Sequence, residues 1–598
     1  MENRMPSSPQ PAIVLMDHEP SRRSELADAI GRWYDQDFQI LQMSSKAPAG
    51  SLERLAGDGA PIALVAGVGK GDEIARALGE ADLPDETSRV SLVPGAKKAT
   101  VADDGSTASF TEDGLEHLHI RVIDGHIYNF WKQSSSEVKK KFKVVEISGA
   151  ITSKGAFRIR EFLTGSGVIF KWPEKSTGSK IIVKITEEGS HQPVTLENPT
   201  LAKLAGELQL LNSPPKKSWY DVVIVGGGPA GLAAAVYAGA EGLSVLVVED
   251  DVPGGQAGTS SKIWNYLGFP EGIPGHQLAQ TALKQAKAFK VEWQPLYVTK
   301  ELILGTGGTL PESRPHEVVL DDEKKTHIKA GAVIVATGMA WRRLNKKTKA
   351  DELLGSGVYY HALMTDAEYT KGKHVAVVGG GNSAGQAVVH LANFADKITM
   401  IVRSDLKSMS KYLVDQIKEL KKAGKVDEHL NSEVKECEAQ DNKLKTVHFG
   451  PKGESNPADK HVDTEWLYVL IGGDPNTSWL GKKLQLAYNG TILTGRHIPG
   501  QEGKVKQAEQ EARKRAQKEK WSPKKTEEEV AKAIEAARVP STGTSVPGIF
   551  AVGDVQYMAP PRVGGALGRG AASITDLFDY IKRAPHLFPT YAKHGQQS

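Results

Sequence analysis

The strongest constraint on the fold is a glycine-rich turn between an apolar strand and a helix of small residues. In DVVIVGGGPAGLAAAVYAGAEGLSVLVVED, Gly226, Gly228 and Gly231 stand in the spacing GxGxxG, and the second apolar run ends at Glu249. Glycines in this spacing permit a tight turn and a close approach, and the helix start receives a pyrophosphate. Glu249 is placed to accept hydrogen bonds from adenosine ribose hydroxyls. The segment therefore predicts a dinucleotide site rather than a structural turn.

A second turn of the same kind lies in HVAVVGGGNSAGQAVVHLANFADKITMIVRSD. Gly379, Gly381 and Ala384 form a GxGxxA version, which also contains Ser383. Two such turns in one chain imply two dinucleotides. No acid stands directly at the end of the second strand, whereas Arg403 is suited to a 2′-phosphate. The pattern favours NADP, with NAD possible, and a solvated surface cation is the alternative interpretation of Arg403.

Two further segments place a turn after an apolar strand and indicate that the first dinucleotide is a flavin. Their residues are Ala336, Thr337 and Gly338 in AGAVIVATG, and Gly553 and Asp554 in SVPGIFAVGDV. Asp554 offers a carboxylate suited to a ribityl hydroxyl. Together with Glu249, the arrangement predicts a flavoprotein that binds FAD and NADP, with its nicotinamide domain inserted in its flavin domain.

From Trp219 to Ile581 these motifs resemble the low-molecular-weight thioredoxin reductase family. The matching stretches are GGGPAG, PGGQAGTSSKIWNYLGFP, ATG, VGGGNSA, IGGDPNTSWL and GIFAVGDVQ. The resemblance implies a homodimer and a set of flavin contacts. Along the flavin ring it implies Gly255, Gln256 and Asn265, and near the ribityl and pyrimidine end Asp554, Arg562 and Val563.

The chain departs from that family where the redox dithiol should stand. Counting back from Gly379, the two cysteines would fall at Ala362 and Thr365, and Cys437 is the only cysteine of the chain. A single cysteine excludes an intramolecular disulfide, a Cys-rich zinc site and a dithiol relay within one chain. No metal site is predicted. Cys437 lies among charges in a predicted hairpin and is expected to be an inert thiol.

The residues around the lost dithiol give no catalytic assignment. Tyr359, Tyr360 and His361 stand there, and His361 could protonate a reduced acceptor. A packed aromatic turn with a satisfied histidine is the favoured interpretation. The catalytic side chains therefore stay unknown at this level.

One subgroup of the thioredoxin reductase family is fused to a response-regulator receiver, and this chain resembles that subgroup more closely. The resemblance rests on the stretches YLVDQIKEL, TSWL and LTGR and on the segments that precede the reductase-like part. Residues 12–135 are predicted to be a degenerate receiver-like domain. Asp17 and Glu19 match part of its acidic cluster, but Ala66 and Gly67 stand where the phosphoacceptor aspartate should end a strand. Residues 142–212 are predicted to be a thioredoxin- or glutaredoxin-like domain without cysteines, in which KGAFRIREFLTGSG forms an amphipathic helix that ends at glycine.

The predicted fold class is α/β, with two Rossmann-like domains after these two modules. The predicted bounds are 219–341 for the first part of the FAD-binding domain, 342–469 for the NAD(P)-binding domain and 470–585 for the second FAD part. A charged insertion at 500–539 mixes signs at helical spacing and predicts two exposed helices that break at Trp521. A solvated insertion is favoured over a docking surface for an acidic partner protein.

Composition bears on partners and location. The chain has 598 residues with 75 basic and 72 acidic side chains, which gives no general reason to expect nucleic acid. No run approaches the ~18 uninterrupted apolar residues of a membrane helix, and the N-terminus is not typical of a signal peptide. A cytoplasmic protein with no membrane partner is expected.

The sequence predicts an FAD-dependent NAD(P)H oxidoreductase that transfers hydride from NADPH or NADH to FAD. Electrons then pass to an unknown external acceptor: an iron–sulfur or flavin protein, a quinone, dioxygen or a partner disulfide. The alternatives are a redox sensor that signals through the N-terminal modules, or a disulfide reductase that acts through partner thiols.

Overall fold

The structure is a computed structural model, and it describes the chain in segments. The described residues are 12–17, 19–21, 23–24, 26–27, 30, 39–44, 62–68, 88–93, 100–101, 107–109, 144–149, 153–166, 168, 170–172, 180–186, 193–210, 215–260, 263, 265–269, 272–306, 314–360, 367, 369–453, 457–589 and 591. The chain forms two compact units. The first unit is Met1–Ile151 with Val168–Thr200, and the second is Thr152–Gly167 with Leu201–Ser598.

Two sheets belong to the first unit. A six-stranded sheet has the order Gln39–Met43, Ala12–Met16, Ile62–Val68, Ser88–Val93, Thr107–Ser109 and Thr100–Val101, parallel except for the last pair. A mixed four-stranded sheet has the order Val194–Glu197, Ile182–Thr186, Val144–Ser148 and Phe170–Lys171. The strand AIVLM at 12–16 is buried throughout, as expected for a strand covered on both faces.

The second unit begins with two helices, Lys154–Gly165 and Leu201–Glu207. Residues 142–212, for which the sequence predicts one domain, are thus divided between the units: their strands belong to the first unit and these helices to the second. The sequence prediction of helix in KGAFRIREFLTG is confirmed, and Ser153 caps it by accepting from the Ala156 amide at 3.2 Å. The predicted module boundaries stay a prediction.

A seven-stranded sheet forms the centre of what we name the first lobe, residues 219–341 with 470–589. Its order is Glu292–Gln294, Val245–Val248, Trp219–Val225, His327–Val335, His316–Leu320 and Thr299–Ile303, with Ile549–Ala551 added to His327–Val335. The strands from Glu292–Gln294 to His327–Val335, with Ile549–Ala551, run parallel. The helices of the lobe are Pro229–Ala240, Gly255–Gly258, Gly275–Ala288 and Val563–Arg583.

The second lobe, residues 342–469, is built on a parallel five-stranded sheet. Its order is Val358–Tyr359, Leu467–Val469, His374–Val378, Lys397–Ile401 and Val426–His429, with the helices Asn382–Leu391 and Lys411–Lys422. An antiparallel sheet of Ser432–Gln440, Lys443–Pro451 and Lys460–Asp463 completes it. Cys437 lies in the first strand of that sheet, so the predicted hairpin around it is confirmed.

The chain passes from the first lobe to the second through Met339–Trp341 and returns through Gly473–Pro475. These two crossing strands pair antiparallel, with Ala340 opposite Asp474. The second lobe is therefore inserted into the first through two hydrogen-bonded segments.

The charged insertion forms the helices Gln501–Glu519 and Pro523–Ala537, as the sequence predicts. Ser522 caps the second helix, and ion pairs such as Arg515–Glu519 at 2.9 Å span four residues on the first. Short 3-10 helices lie at Lys346–Thr348, Ala350–Leu353, Ser478–Leu480, Gly495–His497, Gly553–Val555 and Pro585–Leu587. None of the helices in the described part of the chain has the length and apolar character needed to cross a membrane.

Candidate functional site

The three glycines of the first turn have three different surroundings. Gly226 has φ +106°, and a Cβ there would lie 2.4 Å from the Ala336 carbonyl oxygen. A Cβ on Gly231 would lie 1.9 Å from the Gly226 carbonyl oxygen. At Gly228 a Cβ would meet nothing within 4 Å. The outer glycines thus allow the turn to close, while the middle one borders open space where a phosphate can approach the backbone.

The helix Pro229–Ala240 begins at this turn without a side-chain cap. Proline occupies its first position, where a missing N–H costs no hydrogen bond. The unsatisfied amides of the first turn carry partial positive charge, and they are the groups that bind phosphate at helix N-termini. The uncapped start therefore fits a pyrophosphate.

Glu249 follows the strand Val245–Val248 and is buried next to the turn. Its carboxylate accepts hydrogen bonds from the Gly227 amide and, at 3.0 Å, from the Asp251 amide. Burial raises the pKa of Glu249 well above its usual range, and the neighbouring Asp250 adds to the shift. Its position beside the turn suits the predicted contact with ribose hydroxyls.

A cavity of about 740 Å³ lies against this turn and brings most of the predicted flavin residues together. The predicted residues that line it are Gly226, Gly228, Glu249, Gly255, Gln256, Asn265, Ala336, Thr337, Gly338, Gly553, Asp554, Arg562 and Val563. Its volume is within the range of pockets for cofactor-sized ligands. Gly231 is packed beneath the turn and does not line it.

The ATG and GD segments line the cavity next to the first turn, since a Cβ on Gly226 would lie 2.4 Å from the Ala336 carbonyl oxygen and a Cβ on Gly553 would lie 2.9 Å from Ala230. The Thr337 hydroxyl donates to the Asn476 carbonyl at 2.8 Å, which ties the outgoing chain to the returning chain. Gln256 donates to the Met339 carbonyl at 2.6 Å. Asp554 lies in the short 3-10 helix Gly553–Val555, which precedes the helix Val563–Arg583 in the chain. Burial raises the pKa of the Asp554 carboxyl. These segments give the cavity hydrogen-bonding groups at several positions along its length.

The second turn repeats the design of the first. Gly379 has φ +145°, and a Cβ there would lie 2.3 Å from the Leu470 carbonyl oxygen, whereas a Cβ on Gly381 would meet nothing within 4 Å. Ala384 is fully buried, and the helix Asn382–Leu391 starts without a side-chain cap. This turn therefore also fits a phosphate.

The second turn contributes to the same cavity through the start of its helix. Ser383 lines the cavity together with Asn382, Gln386 and Ala387, whereas Gly379, Gly381, Ala384 and Arg403 do not. Residues of both lobes thus line one cavity. The first lobe contributes the first turn, and the second lobe contributes the start of the helix Asn382–Leu391.

Arg403 is exposed just after the strand Lys397–Ile401. The loop that carries it borders the second turn, because a Cβ on Gly380 would lie 2.9 Å from both Val402 and the Asp405 carbonyl. Asp405 itself is paired with Lys407 at 3.2 Å. The position of Arg403 suits contact with a nucleotide held at the second turn.

The region of the lost dithiol is described only in part. Tyr359 and Tyr360 are buried, and the Tyr360 hydroxyl donates to Asp351 at 2.6 Å. The predicted aromatic packing is confirmed for these two residues. His361, Ala362 and Thr365 lie outside the described residues.

Cys437 is buried in a setting that disfavours its thiolate. Its side chain is 2% exposed, and burial together with the charge of Glu436 raises the pKa of its thiol to about 12. A thiol with this pKa is protonated at neutral pH, so the structure agrees with the predicted inert cysteine. Among the described residues, no group of three or more His, Cys, Asp or Glu side chains is arranged to hold a metal ion.

Several residues of the cavity were not predicted as site residues. Four of them belong to the stretches PGGQAGTSSKIWNYLGFP and IGGDPNTSWL, which carry the family resemblance, so the resemblance is a signal that identifies them. They are Thr259, Ser260, Asn476 and Trp479. Glu161 also lines the cavity, but it comes from the helix Lys154–Gly165. No local signal in the sequence connects that helix with the cavity.

Comparisons with known proteins agree with this site. The model of the pyridine nucleotide-disulphide oxidoreductase family matches residues 220–499. The chain is 34% identical over 275 residues to a thioredoxin reductase of Mycoplasma genitalium, covering 46% of this chain and 81% of that protein. It is also 34% identical over 250 residues to a thioredoxin reductase of Bacillus subtilis, covering 42% of this chain and 74% of that protein.

A third relative is longer. The chain is 30% identical over 367 residues to an alkyl hydroperoxide reductase component of Pseudomonas putida, a match that covers 61% of this chain and 59% of that protein. The family match at residues 220–499 contains both glycine-rich turns. The chain therefore belongs to the thioredoxin reductase family and is an FAD-dependent NAD(P)H oxidoreductase.

Proposed function

We propose that this oxidoreductase delivers electrons to an external acceptor without an internal dithiol. The observation that carries the proposal is the shared cavity, in which Gly228 of the first turn and Ser383 of the second line one space. When bound there, FAD and the nicotinamide supply the redox chemistry, namely hydride transfer to the flavin and its later reoxidation by an acceptor. The single cysteine, Cys437, is buried and does not line that cavity.

The residues of the first lobe would hold FAD through four kinds of contact. The turn and the uncapped helix start would bind the pyrophosphate, and Glu249 would accept from the adenosine ribose. Asp554 would accept from a ribityl hydroxyl, and Gln256 and Asn265 would contact the ring system.

The second lobe would hold NADPH at Gly379, Gly381 and Ala384, with Arg403 on the 2′-phosphate. A guanidinium is always charged and binds phosphate oxygens in a fork. An exposed arginine on the loop beside the turn is the feature that supports NADPH over NADH.

A redox protein is the acceptor class that we favour. The relatives are named as thioredoxin reductases and as a component of alkyl hydroperoxide reductase, and both names belong to proteins of thiol and peroxide chemistry. In this chain Ala362 and Thr365 replace the family's cysteines, so a disulfide substrate would have to be reduced directly or through partner thiols.

The charged insertion offers a surface for such a partner. Residues 513–525, at the end of the two helices, contain seven basic side chains and one acidic side chain. Lys514, Lys518, Lys520 and Lys524 are exposed there. We infer that this basic tip attracts an acidic redox protein, because like-signed charges on a projecting surface steer partners of opposite charge.

A redox sensor is the second candidate, and one observation favours it. In the parallel sheet of the first unit, the buried Asp17 follows the strand Ala12–Met16, and Ala66 and Gly67 pair with Leu15 and Met16 in the neighbouring strand. That arrangement supports a degenerate receiver without a phosphoacceptor. The mixed four-stranded sheet supports a thioredoxin-like module without cysteines.

The experiment that separates these functions is an anaerobic titration of the full chain with NADPH and, separately, NADH. Flavin absorbance is followed before and after a disulfide, a quinone or ferredoxin is added. Bleaching followed by acceptor-dependent recovery supports the electron-transfer function and identifies the acceptor class. Bleaching without recovery supports the sensor. Light scattering on the same sample tests the homodimer that the family resemblance implies.

A further inference from the structure

The helix Lys154–Gly165, which we name the bridging helix, contacts both lobes. It precedes the first lobe in the chain and is not part of either dinucleotide fold. The chain itself joins the lobes through the crossing strands Met339–Trp341 and Gly473–Pro475, which are only three residues each. Two short strands restrict the relative orientation of two lobes much less than a packed helix does.

Contacts with the second lobe are made by the middle of the bridging helix. The Phe157 ring lies 4.8 Å from the Tyr359 ring, which in turn stacks at 5.2 Å on Trp466. Phe157 is 5% exposed and belongs to the hydrophobic core of the second lobe. Arg160 is fully buried, with its guanidinium 5.0 Å from the centre of the Tyr369 ring. The helix thus supplies a core side chain to a lobe that begins far later in the sequence.

Contacts with the first lobe are made by the end of the same helix. Gln280 donates a hydrogen bond to the Gly165 carbonyl. A Cβ on Gly165 would lie 2.5 Å from Val252, so helix and lobe are in close contact at this point. Glu161 and Thr164 line a small cleft with His276, and burial lowers the pKa of His276 to about 4. The neutral histidine is compatible with this tightly packed contact.

The bridging helix also reaches the site. Glu161 lines the shared cavity together with Gly228 of the first turn and Ser383 of the second. A twelve-residue helix is marginal in isolation, so its stability depends on the surfaces that it joins. Any motion that separates the lobes must remove Phe157 from one core or Gly165 from the other lobe. Exposure of a core phenylalanine disfavours such a state by roughly a hundredfold or more.

We propose that the bridging helix is a positioning element that holds the second lobe in one orientation toward the first. Phe157 and Gly165 are positioning residues, and Tyr359 and Val252 are the groups through which they act. In that orientation the start of the helix Asn382–Leu391 faces the cavity of the first turn. The kinetic consequence, that both half-reactions proceed in this one arrangement, rests on the proposed function, whereas the structural restraint does not.

The test is the variant Phe157→Ala, with Phe394→Ala as its matched control. Both phenylalanines are 5% exposed and belong to the same core. Phe394 is part of the second lobe, whereas Phe157 is part of the bridging helix. Both variants should lose similar thermal stability. Only Phe157→Ala should accelerate hydrogen exchange, at least tenfold, in the bridging helix and the crossing strands of the cofactor-free protein. Equal exchange in the two variants would overturn the proposal.

A kinetic readout follows on the FAD-loaded protein. Phe157→Ala should lower the rate of flavin reduction at saturating NADPH about tenfold, with an unchanged KM for NADPH because the second turn is intact. Phe157→Leu should restore most of the rate. If NADPH reduces neither wild type nor variants, the proposed function fails, while the exchange experiment still decides the restraint.

A milder variant protects the test against misfolding. Gln280→Ala removes the hydrogen bond to the Gly165 carbonyl without touching a core. Faster exchange in the bridging helix of this variant, with unchanged exchange in the sheet of the second lobe, is the expected result. Unchanged exchange in the helix would show that the first lobe does not restrain it.

Discussion

A Cβ on Gly231 would lie 1.9 Å from the carbonyl oxygen of Gly226, so these two glycines are in direct contact across the first turn. Gly228 stands between them in the motif, and a Cβ there would meet no atom within 4 Å. Glycine at positions 226 and 231 is therefore required for the turn to fold. Gly228 borders open space, so glycine is required there only to let a ligand approach the backbone.

Replacement of Gly228 by glutamate should abolish FAD binding while the chain still folds. The φ at this position is −71°, which any residue adopts, and the new side chain enters open space. A carboxylate there blocks the approach of a pyrophosphate and repels it. Flavin absorbance after purification measures the loss, and a normally flavinylated variant would refute the assignment of the first turn.

Gly231→Ala is the contrasting variant. Its methyl group would overlap the Gly226 carbonyl, so we expect a loss of about 1–3 kcal/mol in the free energy of unfolding of the cofactor-free protein. Gly228→Glu should leave that free energy nearly unchanged. Thermal or urea unfolding of both cofactor-free variants distinguishes the two roles.

Arg403→Ala should raise the KM for NADPH far more than the KM for NADH. Loss of one charge-assisted contact corresponds to roughly ten- to a hundredfold in affinity. The control is Lys397→Ala at the other end of the same strand, where the lysine pairs with Asp427 at 2.7 Å. That control should affect both cofactors equally. Equal effects of Arg403→Ala would remove the preference for NADPH.

Alkylation of Cys437 in the folded protein should be slow and should keep rising with pH. Because the pKa of the buried thiol is about 12, its thiolate fraction at pH 8 is about a thousandfold below that of a free cysteine. The rate should increase about tenfold per pH unit with no plateau near pH 9. Cys437→Ser should retain full turnover, and an inactive variant would contradict the inert thiol.

The same pKa shift has a consequence for stability. The folded state holds the proton more tightly than the unfolded state, so the free energy of unfolding falls as pH rises from about 8.5 toward 12. Below about pH 8.5 the thiol is protonated in both states, and the contribution of Cys437 to the free energy of unfolding is fully present. Cys437→Ser removes this part of the alkaline loss, which unfolding curves at pH 8 and pH 10 would detect.

Reversal of charge at the basic tip should weaken the reaction with an acidic protein acceptor. Lys514→Glu with Lys518→Glu should lower kcat/KM for that acceptor about tenfold at low salt, and the difference should shrink as salt screens the charges. Flavin reduction by NADPH should not change. Lys504→Glu with Lys506→Glu is the control, since it makes the same charge change at the base of the same helix.

The sequence predicted the two turns because the pattern of an apolar strand, spaced glycines and a helix is local. The closest contact of Gly379 is not local, since a Cβ there would meet the carbonyl oxygen of Leu470, which lies far along the chain. The exposed helices of the insertion were predictable for the same reason, since charge spacing and the Ser522 cap act within a few residues.

The bridging helix shows what a local pattern cannot reveal. Its amphipathic spacing predicted a helix, but its partners Tyr359 and Val252 lie far along the chain in different lobes. No spacing rule connects Phe157 with Tyr359. Glu161 therefore lines the cavity only because tertiary packing brings the bridging helix next to it.

The sheet of the first lobe has an unusual order of assembly. Residues Val333–Val335 pair with Ile549–Ala551, and the whole second lobe and the charged insertion lie between them in the chain. A ribosome adds about 5–20 residues per second, so the wait for this last strand is on the order of tens of seconds. During synthesis the second lobe can fold while part of one edge of His327–Val335 remains unpaired. Truncation before Ile549 would leave that part of the edge unpaired, so the sheet of the first lobe is complete only after Ile549–Ala551 has been added.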